Sequence, residues 1–145
     1  MIYRMSAAFL SLAGLFISGY LYLYKIGKIG SLACGTGGCE TVQLSSWSRI
    51  AGLEVSLIGV LGYAVLLGLS LLALQPRLVW QRWPVTVIAL LAALGLVFTG
   101  YLTFLEVFVI HAVCRWCVTS ALIITLIFVV SWMEHRRLAR APDLE

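Results

Sequence analysis

Residues 111–128 read HAVCRWCVTSALIITLIF, and this stretch is the most informative part of the chain for the fold. It opens an apolar segment of about the length, roughly 20 residues, that a helix needs to cross a bilayer. Two cysteines, Cys114 and Cys117, stand at the start of the segment, where a plain membrane helix has no need of thiols. The stretch therefore indicates a membrane helix with chemistry at its end.

The rest of the chain repeats the membrane pattern. Of its 145 residues, 62% are apolar and 11% are charged, which is far from the balance of a soluble domain. The apolar residues fall into four blocks, at about 5–24, 55–74, 84–105 and 112–133. Because backbone groups in lipid must be satisfied within the segment, we predict an all-α integral membrane protein, a bundle of four transmembrane helices in one domain covering residues 1–145. The first block is too long for a signal-peptide core, so we expect it to be retained.

Basic residues at the helix ends predict the orientation. The basic residues of both termini and of the middle loop, which contains Arg77 and Arg82, lie on one face of a bundle whose helices alternate in direction. On the other face, acidic residues offset the positive charge of the basic ones. The positive-inside rule then puts both termini in the cytoplasm and the loop at about 25–54 outside, in a multi-pass protein of the inner or plasma membrane. Since the basic residues form no single patch, we expect no nucleic-acid partner.

All four cysteines fall on that outer side. Cys34 and Cys39 occur in LACGTGGCETVQLSSW between helices 1 and 2, and Cys114 and Cys117 form CRWC at the start of helix 4. Two structural disulfides are one interpretation, although bridges across short loops gain little from chain entropy. A tetrathiolate zinc site is another, and a non-enzymatic protein that binds or conveys soft metal ions is a third. C-x-x-C is also a redox spacing, and a helix N-terminus favours thiolate there.

A dithiol at the end of a membrane helix can contact both a thiol on the aqueous side and a carrier dissolved in the bilayer. Thiol–disulfide exchange passes two electrons from pair to pair, and a lipid-soluble carrier of two electrons is a quinone. The four cysteines therefore favour a relay that ends on a quinone, without a metal.

The order of these motifs resembles the vitamin K epoxide reductase family and its prokaryotic disulfide-forming homologues. It consists of a loop with two cysteines, SSW after the second of them, EVSLIGVLGY opening helix 2, and C-x-x-C opening helix 4. The resemblance covers nearly the whole chain and implies a four-helix bundle around a quinone, capped by the loop. Some members carry a fused thioredoxin-like domain. Here we expect a separate thioredoxin-like dithiol protein on the outer face.

The resemblance also implies roles for the cysteines. Cys117 corresponds to the quinone-facing cysteine, and Cys114 corresponds to its partner, which exchanges with Cys39. Cys34 corresponds to the outer shuttle thiol that takes electrons from the thioredoxin-like protein. Ser45 occupies the position of the family's loop serine.

Accessory residues have two interpretations each. Ser45 either supports the active site or caps a short helix in the loop. Trp116 is the tryptophan expected to touch the site, whereas interfacial anchoring explains tryptophans at helix ends in general. Glu106 and His111, near the outer end of helix 3, are candidates for proton transfer, although a charged residue at a helix end is more often simply solvated.

The expected function is that of a dithiol:quinone oxidoreductase that reoxidises its partner and so supports disulfide formation in exported proteins. The quinone is of the ubiquinone, menaquinone or vitamin K type. Vitamin K epoxide is the alternative substrate, but Ala121 stands where the vertebrate-type proteins carry a tyrosine, four residues after the last cysteine. This difference favours plain quinone reduction.

The predicted topology can be tested with single reporter cysteines in a cysteine-free variant. Reporters at Gly37 and Ala112 should label from outside, and reporters at Gln81 and Ala141 only after permeabilisation, because the basic helix ends hold the latter two sites in the cytoplasm. Labelling of Gly37 and Ala112 from opposite sides would rule out a relay, since the two cysteine pairs could not meet.

Overall fold

Four long helices make up most of the protein. The structure, a computed structural model, describes residues 2–28, 30 and 38–140, apart from the side chains of Cys39 and Gln43. The long helices are α1 (Ile2–Lys25), α3 (Val55–Ala73), α4 (Trp83–Leu105) and α5 (Arg115–Arg140). All four are long and apolar enough to cross a membrane, α4 together with the helical turn that follows it. The predicted all-α membrane bundle is confirmed.

The connection from α1 to α3 is partly ordered. It contains a short helix α2 (Gly38–Leu44), a 3₁₀ turn (Ser46–Ser48) and a ribbon of two antiparallel strands, β1 (Arg49–Ile50) and β2 (Leu53–Glu54). Ala51 and Gly52, between the strands, both have positive φ, 53° and 82°, as a type I′ hairpin turn requires. The sequence analysis did not predict this ribbon, because strands of two residues are too short to produce an alternating pattern.

The packing of the helices leaves one side of the bundle more open than the others. α1 packs against both α3 and α5, and α4 packs against α5, whereas α3 and α4 make the least extensive contact of these pairs. α1 and α3 approach closely at Gly14, where an added Cβ would collide with the ring of Tyr63. The buried core comprises Tyr63, Leu66, Ala73, Ile88, Ala92, Ile123, Ile124 and Ile127.

The junction between α4 and α5 differs from the predicted one. The chain continues past Leu105 as a π-helical turn (Glu106–Ile110), which ends at His111 in the left-handed conformation with φ 56° and ψ 30°. The N–H of Ala112 bonds back to the carbonyl of Glu106 at 3.1 Å. A left-handed residue cannot continue a right-handed helix. The fourth helix, α5, therefore begins at Arg115, slightly later than the approximate start at residue 112 that the apolar block predicts.

The other end of α5 also lies beyond its predicted limit. The prediction ended the helix at residue 133, where the apolar block ends, but α5 continues to Arg140. The added residues include no glycine or proline, and residues such as Arg and Leu have high helix propensity. The hydrophobic pattern marks the membrane-crossing part of a helix, whereas backbone propensity lets the helix run on beyond it.

A buried arginine ties together the end of the bundle opposite the cysteines. The Arg4 side chain is 2% exposed, and its Nε lies 3.3 Å from Oε1 of Glu134 on α5. Its remaining nitrogens donate to the carbonyls of Ala73 at 2.5 Å, Val79 at 2.6 Å and Leu78 at 3.2 Å. One guanidinium thus satisfies carbonyls at and beyond the end of α3 and pairs with the one buried carboxylate nearby, so it joins α1, α3 and α5.

Replacing Arg4 with leucine should destabilise the protein by about 3–5 kcal/mol, because the change leaves the Glu134 carboxylate buried without its partner. The midpoint of thermal unfolding in detergent measures the effect. The double variant Arg4→Leu/Glu134→Leu should recover part of the loss. Arg77→Ala, an exposed arginine at the same end, is the matched control and should unfold like the unmodified protein. Equal melting of Arg4→Leu and the control would contradict a stabilising role.

Candidate active site

Cys114 lies at the N-terminus of α5. It is the residue immediately before the helix, and its carbonyl accepts the N–H of Val118 at 3.0 Å, which makes it the N-cap residue. Its sulfur accepts hydrogen bonds from the backbone N–H groups of Trp116 and Cys117, as an N-cap side chain does. The thiol is fully buried. The break at His111 therefore gives Cys114 the capping position of a membrane helix.

This position favours the thiolate form of Cys114. A hydrogen bond from the Cys117 side chain is the largest cause that lowers the pKa of Cys114, and the two backbone N–H groups lower it further. Burial and the nearby Glu106 carboxylate act in the opposite direction. Both cysteines are thiols in this structure. Of the pair, Cys114 has the hydrogen bonds that stabilise a negative sulfur.

Cys117 faces a different environment, a cavity of about 890 Å³ inside the bundle. It lies about one turn along α5 from Cys114 and lines the cavity together with Ser120 and Ile124, which recur on the same face of the helix. The surroundings of the two cysteines therefore differ in part, because both pack in one cluster but only Cys117 also lines the cavity. Cys117 meets the cavity, whereas Cys114 packs in a cluster with Leu21 of α1 and Val42 of α2.

The cavity is apolar with a few polar groups. Its size falls within the range typical of small-molecule sites, roughly 300–1,000 Å³. The side chains with a hydroxyl or carboxylate group that line it are Ser18, Ser56, Tyr63, Thr99, Tyr101, Thr103, Glu106 and Ser120. The Ser56 hydroxyl is buried without a hydrogen-bond partner in the described part of the chain, so it is a candidate donor to a ligand. Tyr63 is already bonded to the Ser120 hydroxyl at 2.8 Å.

The cavity reaches the surface of the bundle between α3 and α4. Residues of both helices line it and are also exposed on the face that meets lipid: Leu61, Val65, Leu94, Val97 and Tyr101. These side chains are apolar or aromatic, and α3 and α4 pack together less extensively than the other pairs. The opening therefore suits a molecule that arrives from the bilayer.

The short helix α2 lies against the start of α5. Gly38, its first residue, is so close to Val113 that an added Cβ would lie 2.5 Å from the Val113 carbonyl oxygen. Val42, one turn further along, packs in the cluster with Cys114. Gly38 directly precedes Cys39, and Val113 directly precedes Cys114. The backbones next to two of the predicted relay cysteines are thus in contact, while Cys34 lies outside the described residues.

The two accessory residues predicted for the site lie outside the cavity lining described here. The Ser45 hydroxyl donates to the carbonyl of Val42 at 2.7 Å, and Ser45 precedes the 3₁₀ turn without a side-chain capping bond. Trp116 stacks at a tilt on Tyr20, with 5.2 Å between ring centroids, and packs beside Cys114. Their direct roles toward a quinone stay predictions, and their contacts are with the parts that hold Cys114.

The loop between α1 and α3 is also fastened to α1. Lys25, the last residue of α1, donates from Nζ to the Ser48 hydroxyl at 2.6 Å, and Ser48 in turn donates to the Ser45 carbonyl at 2.8 Å. This chain of bonds holds the 3₁₀ turn over the end of the bundle. The Arg49–Glu54 ion pair, with Arg49 largely exposed, adds little to it.

Several residues of the site were not singled out by the sequence analysis. Ser56 and Tyr63 on α3 and Ser120 on α5 line the cavity, yet each looks like an isolated polar residue in an apolar block. The sequence feature that could have identified them is their polarity, because polar side chains within membrane helices usually face the bundle interior. The sequence makes Glu106 a candidate for proton transfer, with exposure to solvent as the commoner alternative for a charged residue at a helix end. Its exposure of 4% excludes that alternative, whereas His111 is exposed.

A sequence model of the vitamin K epoxide reductase family matches residues 5–132, which is most of the chain. The chain belongs to the vitamin K epoxide reductase family. The match runs from α1 to the last third of α5, so it includes the loop cysteines, the cavity and the C-x-x-C pair. Family membership makes the protein a multi-pass membrane thiol oxidoreductase linked to a quinone.

The contact between Gly38 and Val113 leads to a prediction about this family member. In a Cys34→Ala/Cys117→Ala background, Gly38→Ala should slow formation of the Cys39–Cys114 disulfide about tenfold, the effect of ~1.4 kcal/mol of overpacking. The reason is that the new methyl group would displace α2 from Val113. Disulfide formation is followed on non-reducing gels after cleavage of the chain between α3 and α4.

Gly30→Ala is the matched control for this measurement. Gly30 belongs to the same loop, and an added Cβ there meets nothing within 4 Å among the described residues, so its variant should form the disulfide at the original rate. Equal rates for Gly38→Ala and Gly30→Ala would mean that the contact does not set the spacing of the two cysteines.

Proposed function

We propose that the protein is a dithiol:quinone oxidoreductase, in which Cys114 and Cys117 pass electrons from the loop cysteines to a membrane quinone. The observation that carries the proposal is the difference in the surroundings of the two adjacent thiols. Cys117 lines an apolar cavity that opens toward lipid, whereas Cys114 contacts the helix that carries Cys39. A pair of this kind is suited to exchange with a protein disulfide on one side and with a lipid-soluble molecule on the other.

The residues of the cavity fit a quinone. The ring would rest beside Cys117 and within the polar part of the lining, where the unpartnered Ser56 hydroxyl can donate to a carbonyl oxygen. The apolar residues between α3 and α4 would accommodate an isoprenoid tail. When bound, the quinone supplies the acceptor for two electrons and two protons.

The electron balance of the pair is simple. Oxidation breaks the S–H bonds of Cys114 and Cys117, forms one S–S bond and releases two electrons and two protons. The stabilised thiolate of Cys114 is the group that attacks sulfur to close this disulfide. In the next half-reaction Cys39 attacks Cys114, which breaks the Cys114–Cys117 bond, releases the Cys117 thiol and forms a Cys39–Cys114 mixed disulfide. Cys34 then attacks Cys39, which releases the Cys114 thiol and leaves the loop pair oxidised.

The source of the electrons is proposed to be a separate thioredoxin-like dithiol protein that meets Cys34. We further propose that the loop and all four cysteines lie on the outer side of the inner or plasma membrane, with both termini in the cytoplasm. The supporting observation is the charge distribution at the helix ends. In this orientation the protein would drain electrons from a disulfide-forming catalyst of exported proteins. Vitamin K epoxide remains the alternative substrate.

The proposal is tested with purified protein in detergent. The protein should contain or bind a quinone, and it should reduce ubiquinone or menaquinone analogues when dithiothreitol is supplied, as followed by quinone absorbance. Cys117→Ala should abolish the reduction. If the unmodified protein neither binds nor reduces a quinone, the cysteines would instead have a structural role, as disulfides that hold the loop in place.

The assignment of the two helix cysteines can be tested spectroscopically. The Cys114→Ala protein, reduced and loaded with quinone, should show a red-shifted quinone absorbance, because Cys117 remains beside the ring and can form a charge-transfer pair. The Cys117→Ala protein should show none. An absorbance that appears only in Cys117→Ala would reverse the roles of the two cysteines.

A further inference from the structure

One buried carboxylate, Glu106, has no role in the proposed cysteine relay. Glu106 begins the π-helical turn after α4, is 4% exposed and lines the cavity. Among the described residues it pairs with no lysine or arginine; the ion pairs there involve Glu134 and Glu54. A carboxylate buried in apolar surroundings without a cation is costly and marks a functional site.

The contacts of Glu106 point at the redox pair. Its Oε2 accepts the backbone N–H of Cys114 at 3.2 Å. The Cys117 thiol is also within hydrogen-bonding reach of the same carboxylate, so its single proton has two acceptors, the Cys114 sulfur and Glu106. The carboxylate therefore contacts the cavity-facing sulfur, and like Cys117 it lines the cavity.

The proposed reaction needs such a group. The pair must lose two protons and the acceptor must gain two, in a place lined mainly by hydrocarbon. The other titratable side chains in the cavity lining are Cys117 itself, Tyr63 and Tyr101. Tyr63 is engaged with Ser120, and Tyr101 is 49% exposed on the lipid side. Among the described residues of the lining, Glu106 is the carboxylate.

We propose that Glu106 is a catalytic residue that carries the protons of the Cys114–Cys117 pair to the quinone. The inference rests on the proposed function. The carboxylate accepts the proton of the Cys117 thiol, and the resulting carboxylic acid donates it to a quinone oxygen. The proton of Cys114 follows through the Cys114–Cys117 hydrogen bond and the regenerated carboxylate. Two S–H bonds break, one S–S bond forms, and the acceptor gains two electrons and two protons.

The pH dependence of the quinone absorbance in the Cys114→Ala protein shows whether Glu106 accepts the Cys117 proton or acts only through its negative charge. A nearby negative charge opposes formation of the Cys117 thiolate. If Glu106 acts only through its charge, Glu106→Gln should therefore lower the pH at which the absorbance appears. If Glu106 takes the proton, the same change should move it to higher pH or abolish it. We expect the second result, and the first would overturn the proposal.

The glutamine variant is suited to this test because its side-chain oxygen can still accept the Cys114 N–H. Cys114→Ala/Glu54→Gln is the matched control, since Glu54 is a carboxylate at the same end of the bundle outside the described cavity lining, and its titration should not shift. Glu106→Asp, which keeps a carboxyl group, should retain the absorbance. Loss of the absorbance in the aspartate variant as well as in the glutamine variant would indicate a structural role and overturn the proposal.

Turnover gives the second readout. In the otherwise unmodified protein, Glu106→Gln should lower the rate of quinone reduction by about 100-fold or more, the usual contribution of a general acid–base, with quinone affinity unchanged. Weaker quinone binding that accounts for the loss would overturn the proposal in favour of a binding role. Failure of the unmodified protein to reduce quinone counts against the proposed function, whereas full activity of Glu106→Gln beside an active unmodified protein counts against Glu106 alone.

Discussion

The hydrocarbon interior of a membrane offers no water to unpaired backbone groups, and the architecture follows from this constraint. Along the four long helices each backbone group is satisfied within its own segment. Where a helix stops, other groups must take over, and the chain uses those places for chemistry. At the α4–α5 junction the left-handed His111 ends one helix and the Cys114 sulfur caps the next. The thiol proposed for the redox reaction thus also accepts hydrogen bonds from two N–H groups at the start of α5.

The two ends of the bundle meet the same constraint in different ways. At one end the Arg4 guanidinium satisfies carbonyls that α3 leaves open and pairs with a buried Glu134. Truncating such a pair is costly, so this end is expected to be rigid. At the other end the contacts are of small residues and hydroxyls, Gly38 on Val113 and Lys25 on Ser48. Contacts of this kind seat the loop against the redox pair.

Buried polar side chains lie at both ends of the bundle, Arg4 and Glu134 at one end and Ser56 and Glu106 at the end that holds the cysteines. Ser56, Ser120 and Glu106 line the cavity together with Cys117, whereas Leu61, Val65, Leu94 and Val97 at the opening toward lipid are apolar. A molecule with a polar ring and an apolar tail has one orientation that matches this distribution. The Glu106 carboxylate is the most costly member of the set to bury. Because Glu106 is hydrogen-bonded to both cysteines, the free-energy cost of burying it is consistent with a role in the proposed redox reaction.

The amino-acid sequence alone determined the class of fold and supplied the candidates for the redox groups. Four apolar blocks of membrane-spanning length leave few alternatives to a helical bundle, and C-x-x-C at a helix start predicts reactive thiols, because both conclusions depend on local composition and spacing. The order of motifs was also enough to suggest the family that the comparison with known proteins then showed. Helix ends were less predictable, as α5 shows at both of its limits.

Only the tertiary structure decided which environment each group meets. Local pattern cannot reveal that Cys117 faces a cavity while Cys114 faces α2, since both lie within one turn of the same helix. Nor can it distinguish a solvated Glu106 from a buried one, because the difference arises from a π-helical turn and from packing against residues distant in sequence. The same holds for Gly38. No side chain fits at this position, because the backbone of Val113 lies against it. Burial and contact between distant segments are properties of the packed chain, and they convert a list of candidate residues into an active site.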